Sequence, residues 1–418
     1  MSGLIDKLIS KQEHHVNIKN RHPDGFEPGV QSPSYSASGK LVPGTIIAAL
    51  DTGENDEVCW DDEFKGWGLD PNDWQILEPI EFRFWDMAIG NQQVRRMKYF
   101  KARFVQRKHL IDPQEVKDLI KYVRSRKRRE PKLATLTSQP HSLVAPFGDT
   151  QLGKDDGDGL EGTVKRMVAM KELILDRYND LKRAGYNITE LVMPSLGDLI
   201  ENCIGHYAQQ KYRVQANLRY QISIGYNTIA EILMYLAPHI PHIRVPVVGG
   251  NHGEVRDSDG QSFTDFSDNM DVAILEIVDQ VLHKTTDAYD HVVITTPHKD
   301  LTQTFMVQDK VVAIAHGHQF ARGKGSSPAD KAIEWWRGQQ EGRSPVGEAD
   351  LLITGHFHYY QATERSDHRW WFQIPALEGG SEWYEQKTGL HSEPGLLTFT
   401  ISENGWGNKT ILRGNNGH

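Results

Sequence analysis

The chain has 418 residues, enough for two domains or for one large domain with an appendage. Hydrophobic residues make up 38% and charged residues 25%, the balance of a soluble globular protein, and no apolar run approaches the roughly 18 residues that a membrane span needs. The formal net charge of −9 hides an asymmetry: 15 Lys and Arg stand against four acids between Asn91 and Lys132, so that segment is +11 and the rest of the chain −20.

Residues 1–45 begin with a short amphipathic stretch, Met1–Lys11, that lacks the apolar centre of a secretion signal. They continue as an irregular arm with turn signals at His22-Pro23-Asp24-Gly25 and Glu27-Pro28-Gly29. Residues 46–130 are expected to form a small, basic-ended α+β accessory domain. Its strands are predicted at Thr45–Leu50, Ile80–Phe84 and Tyr99–Arg107, and its helix at Pro113–Arg128, after the start signal Asp112-Pro113. Its basic end points to a polyanionic partner such as nucleic acid, or to a solvated helix face followed by a charged linker. Residues 131–142, with two prolines, are assigned as a linker. Cys59 and Cys203 lie far apart and outside any CxxC spacing, which excludes a disulfide framework and a zinc–thiolate site. A cytoplasmic, membrane-free setting follows as the expectation.

From residue 143 to 418 the pattern changes. Leu143–Phe147, Leu191–Leu196 and Val245–Val248 are short apolar runs, separated by helical patterns at Leu160–Ala184 and about Lys211–Leu236. Such alternation indicates parallel βαβ units. After Asp287 strands dominate: His291–Thr296, Thr302–Val307, Lys310–Ala315, Leu351–Thr354, Trp370–Ile374 and Leu396–Ile401, with a helix near Pro328–Gly338. The expected fold class is α/β, two stacked mixed sheets with helices outside.

Polar ligands for a metal are expected in the loops at the carboxyl ends of such strands. Those loops read Gly148-Asp149-Thr150-Gln151, Gly197-Asp198-Leu199-Ile200-Glu201-Asn202, Gly250-Asn251-His252-Gly253-Glu254, His316-Gly317-His318 and Gly355-His356-Phe357-His358. Singly each is weak, since Gly-Asp is usually a turn and Asn-His-Gly usually a loop. In one order, at five consecutive strand ends, carboxylate, amide and imidazole rarely arise together by chance.

This order resembles the pattern DxH, GDxxD/E, GNHD/E, H and GHxH of the calcineurin-like metallophosphoesterase superfamily, over roughly residues 143–402, about three-fifths of the chain. The details around Asn251 resemble most the versions encoded by bacteriophages, which would place the protein in host-cell cytoplasm. The resemblance implies an αββα sandwich and two divalent metal ions, Mn²⁺ foremost, with Fe, Zn²⁺ or Mg²⁺ also suited to oxygen and imidazole donors. It assigns one metal to Asp149, Asp198 and His358, with Gln151 standing where the family has a histidine. The other falls to Asp198, Asn251, His316 and His356, so that Asp198 bridges. Two cations about 3.5–4 Å apart clamp phosphoryl oxygens and generate a bridging hydroxide that attacks phosphorus. His252 is the implied general acid and Glu201 its orienting carboxylate.

Two departures stand out. Gln151 either ligates more weakly than imidazole or leaves its place to water, and Gly253 displaces Glu254 from the usual acidic position. Arg256, Arg322 and Lys324 could meet a phosphate or simply be solvated. Trp335, Trp336, Trp370, Trp371 and Trp383 could stack on bases, although core packing is the commoner use of such residues. Three functions follow: a nuclease or phosphodiesterase acting on nucleic acid, favoured by the basic segment; a phosphatase or phosphodiesterase for small molecules or proteins; and a binding protein with a degraded metal site. An oligomer stays open.

Overall fold

The computed structural model describes residues 44–51, 60–66, 70–71, 74–89, 93–106, 113–126, 139–208, 210–257, 259–262, 265–297, 299–321, 327–365, 368–380 and 392–413. Expectations for the arm at 1–43, for Arg322, Lys324 and Trp383, and for most of the 131–142 linker fall outside them. Two compact units divide the chain, with the boundary between His109 and Leu110.

The smaller unit holds β1 (Gly44–Asp51), α1 (Trp60–Gly66), β2 (Trp74–Ile89) and β3 (Gln93–Gln106). Its strands form an antiparallel sheet in the order β1-β3-β2. Both β2 and β3 run well beyond the apolar stretches seen in the sequence, because a backbone ladder continues through charged residues as readily as through apolar ones. The register of this pair shifts between Leu77 and Glu81, a stretch that contains Pro79, which has no N–H to give the ladder.

The larger unit begins with α2 (Pro113–Ser125), which the sequence grouped with the accessory domain. Leu119 and Val123, four residues apart, bury this helix in the larger unit's core, while Lys117, Lys121 and Arg124 stay exposed. An apolar stripe at helical spacing needs a core to cover it, and this one finds it here. Then follow β4 (Pro140–Val144), α3 (Gly159–Arg183), β5 (Asn187–Val192), α4 (Leu218–Leu236), β6 (Ile243–Pro246), α5 (Met270–His283) and β7 (Val292–Thr295). The second half supplies β8 (Thr302–Val307), β9 (Lys310–Ala315), α6 (His318–Ala321), α7 (Pro328–Glu341), β10 (Leu351–Thr354), β11 (Gln361–Glu364), β12 (Trp370–Gln373), β13 (Leu396–Ser402) and β14 (Gly405–Leu412).

Two mixed sheets result. One has the order β14-β13-β4-β5-β6-β7, parallel from β4 to β7; the other has the order β11-β12-β10-β9-β8, with β9, β10 and β12 parallel. Side chains alternate faces along a strand, and the burial follows that period. Val144, Phe399, Val312, Ile314, Ile353 and Phe372 fill the space between the sheets. Their neighbours Leu143 and Leu191 face α3, α4 and α5, whereas Ala313, Leu352 and Trp371 face α6 and α7. The architecture is helix, sheet, sheet, helix, as the sequence led us to expect.

Trp336 and Trp371 are fully buried, their indole N–H groups donating to Val346 O and Thr354 Oγ1, so they pack the core rather than stack on bases. Helix α5 is absent from the sequence reading, yet it buries Val272, Ile274, Leu275, Val278, Val281 and Leu282. Among the described residues no helix is long and apolar enough to cross a membrane.

Candidate metal centre

Each strand-end motif lies where its strand stops pairing. Parallel bridges Phe147–Ser195–Val247 carry the first sheet just past β4, β5 and β6, and the chain then turns out of the sheet. Six of the ten non-glycine residues with positive φ among the described residues cluster in these loops: Asp149, Gln151, Asp198, Asn202, His356 and His358. Such backbone is costly for side-chain-bearing residues and persists only where surrounding contacts enforce it. Here hydrogen bonds lace the loops together: Asp149 N donates to Gly197 O and Gln151 N to Asp198 O within the first sheet's loops, Gly355 N to His316 O within the second's, and His356 N to Asp149 Oδ2 across the two. Two glycines make room for carboxylates: a Cβ on Gly250 would sit 2.1 Å from Asp198 Oδ1, and one on Gly355 would sit 2.5 Å from Asp149 Oδ2.

Four donor atoms converge from this lacing. His316 Nε2 lies 3.1 Å from Asp198 Oδ2, 3.1 Å from Asn251 Oδ1 and 3.2 Å from His356 Nδ1. Asp198, His316 and His356 have ligand atoms within 4.8 Å of one another, the one such group among the described residues. The tautomer of His316 is set from outside. Its Nδ1 must donate to the carbonyl oxygen of Leu196, 2.7 Å away, which leaves Nε2 directed at the cluster.

Charge follows the geometry. Burial opposes a proton on His316, but Asp198 outweighs it and lifts the ring to about 9. Burial and the His316 charge push neighbouring His356 down to about 3. Despite its own burial, Asp198 is held well below the usual carboxylate range by His316 and His252. Asp198 and His316 thus stabilise each other's charge, and the oxygen and imidazole donors of the cluster fit a divalent cation.

The remaining predicted ligands gather beside it. Asp149 accepts from the backbone N–H of His356 at 2.9 Å and lies 3.4 Å from His358 Nε2. Gln151 is turned elsewhere: its Oε1 accepts from Lys154 Nζ at 2.9 Å, and its Nε2 stands 3.4 Å from His252 Nε2.

His252 lies at the mouth of the cluster. Its backbone N–H donates to Asp198 Oδ1 at 2.7 Å. Its Nδ1 donates to the carbonyl oxygen of Glu201 at 3.0 Å, with carboxylate oxygen Oε2 of the same residue at 3.3 Å. Burial opposes charge on this ring as well, yet Asp198 and Glu201 raise it to about 9. Glu201 in turn accepts from Tyr207 Oη at 2.6 Å. Arg256 donates Nε and Nη2 to Glu254 Oε2, at 2.8 and 2.6 Å, so Glu254 is employed and Arg256 is held back against it. His318 sits with its ring 5.4 Å from that of His316 and its Nε2 3.6 Å from Glu254 Oε1, outside the converging group.

No protein-family model matches the sequence, and no curated protein matches it either. Solved structures give fold similarity. Vps29 from Entamoeba histolytica complexed with Zn²⁺ is 15% identical with a TM-score of 0.27, covering 64% of this chain and 98% of its own. Vps29 from Chaetomium thermophilum is 13% identical with a TM-score of 0.26, covering 65% and 94%. A conserved uncharacterized protein and predicted phosphoesterase from Streptococcus pneumoniae is 8% identical with a TM-score of 0.25, covering 64% and 86%.

Several residues of the site escaped the sequence reading, Lys154 and Tyr207 among them. Glu378 accepts from His358 Nδ1 at 3.0 Å and from Lys154 at 3.0 Å; it sits beside Gly379 just past β12, the same strand-end signature as the other motifs. Asp271, in the first turn of α5, accepts from the backbone N–H groups of Asp198, Leu199 and Gly250 at 2.8 to 2.9 Å. Burial and the nearby Asp198 charge raise its carboxyl to about 6. His206 stacks on His252, with centroids 4.8 Å apart and planes within 6°, and burial drives it down to about 3.

Asn269 caps α5 by accepting from Asp271 N at 3.0 Å, and its Nδ2 donates to Gly250 O at 2.9 Å. Asn269→Ala removes a helix cap and orphans a buried carbonyl. It should lower unfolding free energy by about 2–3 kcal/mol in urea titrations. An unchanged midpoint would show that this residue does not hold the Asn251 loop.

Proposed function

We propose that the chain is a metal-dependent phosphoester hydrolase acting on nucleic acid. The observation that carries this reading is the convergence of Asp198 Oδ2, Asn251 Oδ1, His316 Nε2 and His356 Nδ1 around one point. A divalent cation held there would polarise a phosphoryl oxygen and acidify water. The mixed donor set without thiolate suits Mn²⁺, with Fe, Zn²⁺ and Mg²⁺ as alternatives.

The chain's own residues supply the rest. Because Nδ1 of His252 is committed to Glu201, its Nε2 is the nitrogen left to give a proton to a departing alkoxide. Charge on Glu201 favours that protonated ring, and the stacked, neutral His206 shields its other face from water. Asp271 keeps the Asp198 and Asn251 loops in register by collecting three N–H groups on one carboxylate.

The +11 segment at 91–132 supports nucleic acid over a small substrate, and α2 within it exposes Lys117, Lys121 and Arg124. Binding through it should weaken steeply with salt. Purified protein with Mn²⁺ is expected to degrade labelled single- or double-stranded DNA. Turnover of p-nitrophenyl phosphate esters with every form of DNA left intact would leave the phosphoesterase reading standing and sink the nucleic-acid one.

A further inference from the structure

We propose that Lys154 is a built-in cation occupying the place of one of the two metals that the motif pattern implies. The centre then takes a single divalent ion, on Asp198, Asn251, His316 and His356. The proposal rests on the metal-centre reading above and sharpens it.

Of the residues that would hold the other ion, Gln151 is engaged directly by an ammonium group, and His358 and Asp149 are linked to the same ammonium through Glu378. Lys154 Nζ donates to Gln151 Oε1 at 2.9 Å and to Glu378 Oε2 at 3.0 Å. The other oxygen of Glu378 pairs with His358 Nδ1 at 3.0 Å, and His358 Nε2 faces Asp149 Oδ1 at 3.4 Å. Lysine, glutamate, histidine and aspartate thus form one continuous chain of contacts.

The lysine is anchored rather than wandering. Its backbone N–H donates to Gln151 O at 3.0 Å, its backbone pairs with Val214, and its side chain is only 15% exposed beside a Glu378 that is 3% exposed.

Glutamine explains itself in this setting. The amide has its oxygen toward the ammonium, and reversing it would set NH₂ against Nζ. A histidine at this position would have to present a lone pair to the metal beside a fixed positive charge three residues on. Gln151 and Lys154 are therefore one substitution in physical terms: the neutral amide accepts the cation that stands in for the metal. A divalent ion added here would meet the repulsion of that ammonium in a buried setting, where screening is weak.

The test is metal counting on the intact chain. Protein dialysed against Mn²⁺ is expected to hold one ion per chain by elemental analysis, with the six-line electron paramagnetic resonance of an isolated Mn²⁺. Lys154→Met combined with Gln151→His is expected to hold two, tightening the second by at least about tenfold and giving the multiline signal of a coupled pair. Lys154→Arg, which keeps the charge, should stay at one, and circular dichroism checks that each variant is folded. Two ions of similar affinity in the unaltered protein would overturn the proposal while leaving the metal centre intact. Failure of the double variant, once folded, to gain an ion would overturn it too. No bound Mn²⁺ in any of them would sink the metal-centre reading itself, and this inference with it.

Discussion

Asp198→Asn is expected to weaken Mn²⁺ binding by more than about 100-fold and to lower turnover of phosphodiesters by about 10³-fold or more. Asp198 is 1% exposed, and its two oxygens do different work: Oδ2 meets His316 Nε2 while Oδ1 accepts from His252 N. Asparagine keeps the shape and tolerates the positive φ of 51° at this position, so the variant should fold. What it removes is the charge that raises His316 and His252, together with the anionic donor to a cation. Isothermal titration with Mn²⁺ reads the first effect and single-turnover hydrolysis the second. A folded Asp198→Asn protein with undiminished metal affinity would place the metal elsewhere.

His252→Ala is expected to separate substrates by their leaving groups. Esters of ordinary alcohols, nucleic acid among them, should lose about 10²- to 10⁴-fold in rate, the usual worth of a positioned acid. A p-nitrophenyl ester should lose less than about tenfold, because p-nitrophenolate departs without needing a proton from a strong donor. Glu201→Gln should follow the same pattern more weakly, since the Nδ1 bond to the Glu201 carbonyl oxygen survives that change. Equal losses on both substrate types would make His252 a metal or substrate contact instead of an acid. Asp198→Asn, by contrast, should depress both types alike, so the two variants divide metal binding from proton transfer.

Much of the fold was legible because burial imposes a period. Leu351, Leu352 and Ile353 alternate between the inter-sheet core and the α6–α7 side, and the apolar run that reports this is visible in one dimension. Helix α5 has no counterpart in the sequence reading, although its apolar residues are as regular and Asn269 is a favoured N-cap residue. Helix α2 was recognised but grouped with the wrong neighbours in chain order. Its amphipathic pattern says that a stripe needs cover, and nothing in it says which core provides the cover.

The site divides along the same line. The sequence by itself determined the donor types, their place at strand ends and their order, since strand-end loops bearing glycine and a polar ligand are local features. The resemblance carried by that order also implied Glu201, three residues beyond Asp198 in the same loop, as the partner of His252. Only the tertiary structure decided what the donors face. Glu378 lies 224 residues from Lys154, and Asp271 lies 73 from the Asp198 amide it holds. Contacts of that span arise where loops from separate strands converge, and no period or spacing along the chain encodes them. Gln151 is the clearest case. In the sequence it is a defect in a metal motif, whereas in the folded chain its carbonyl is already engaged by an ammonium three residues away. A side chain's chemistry is carried by its type, but its partner is chosen by packing.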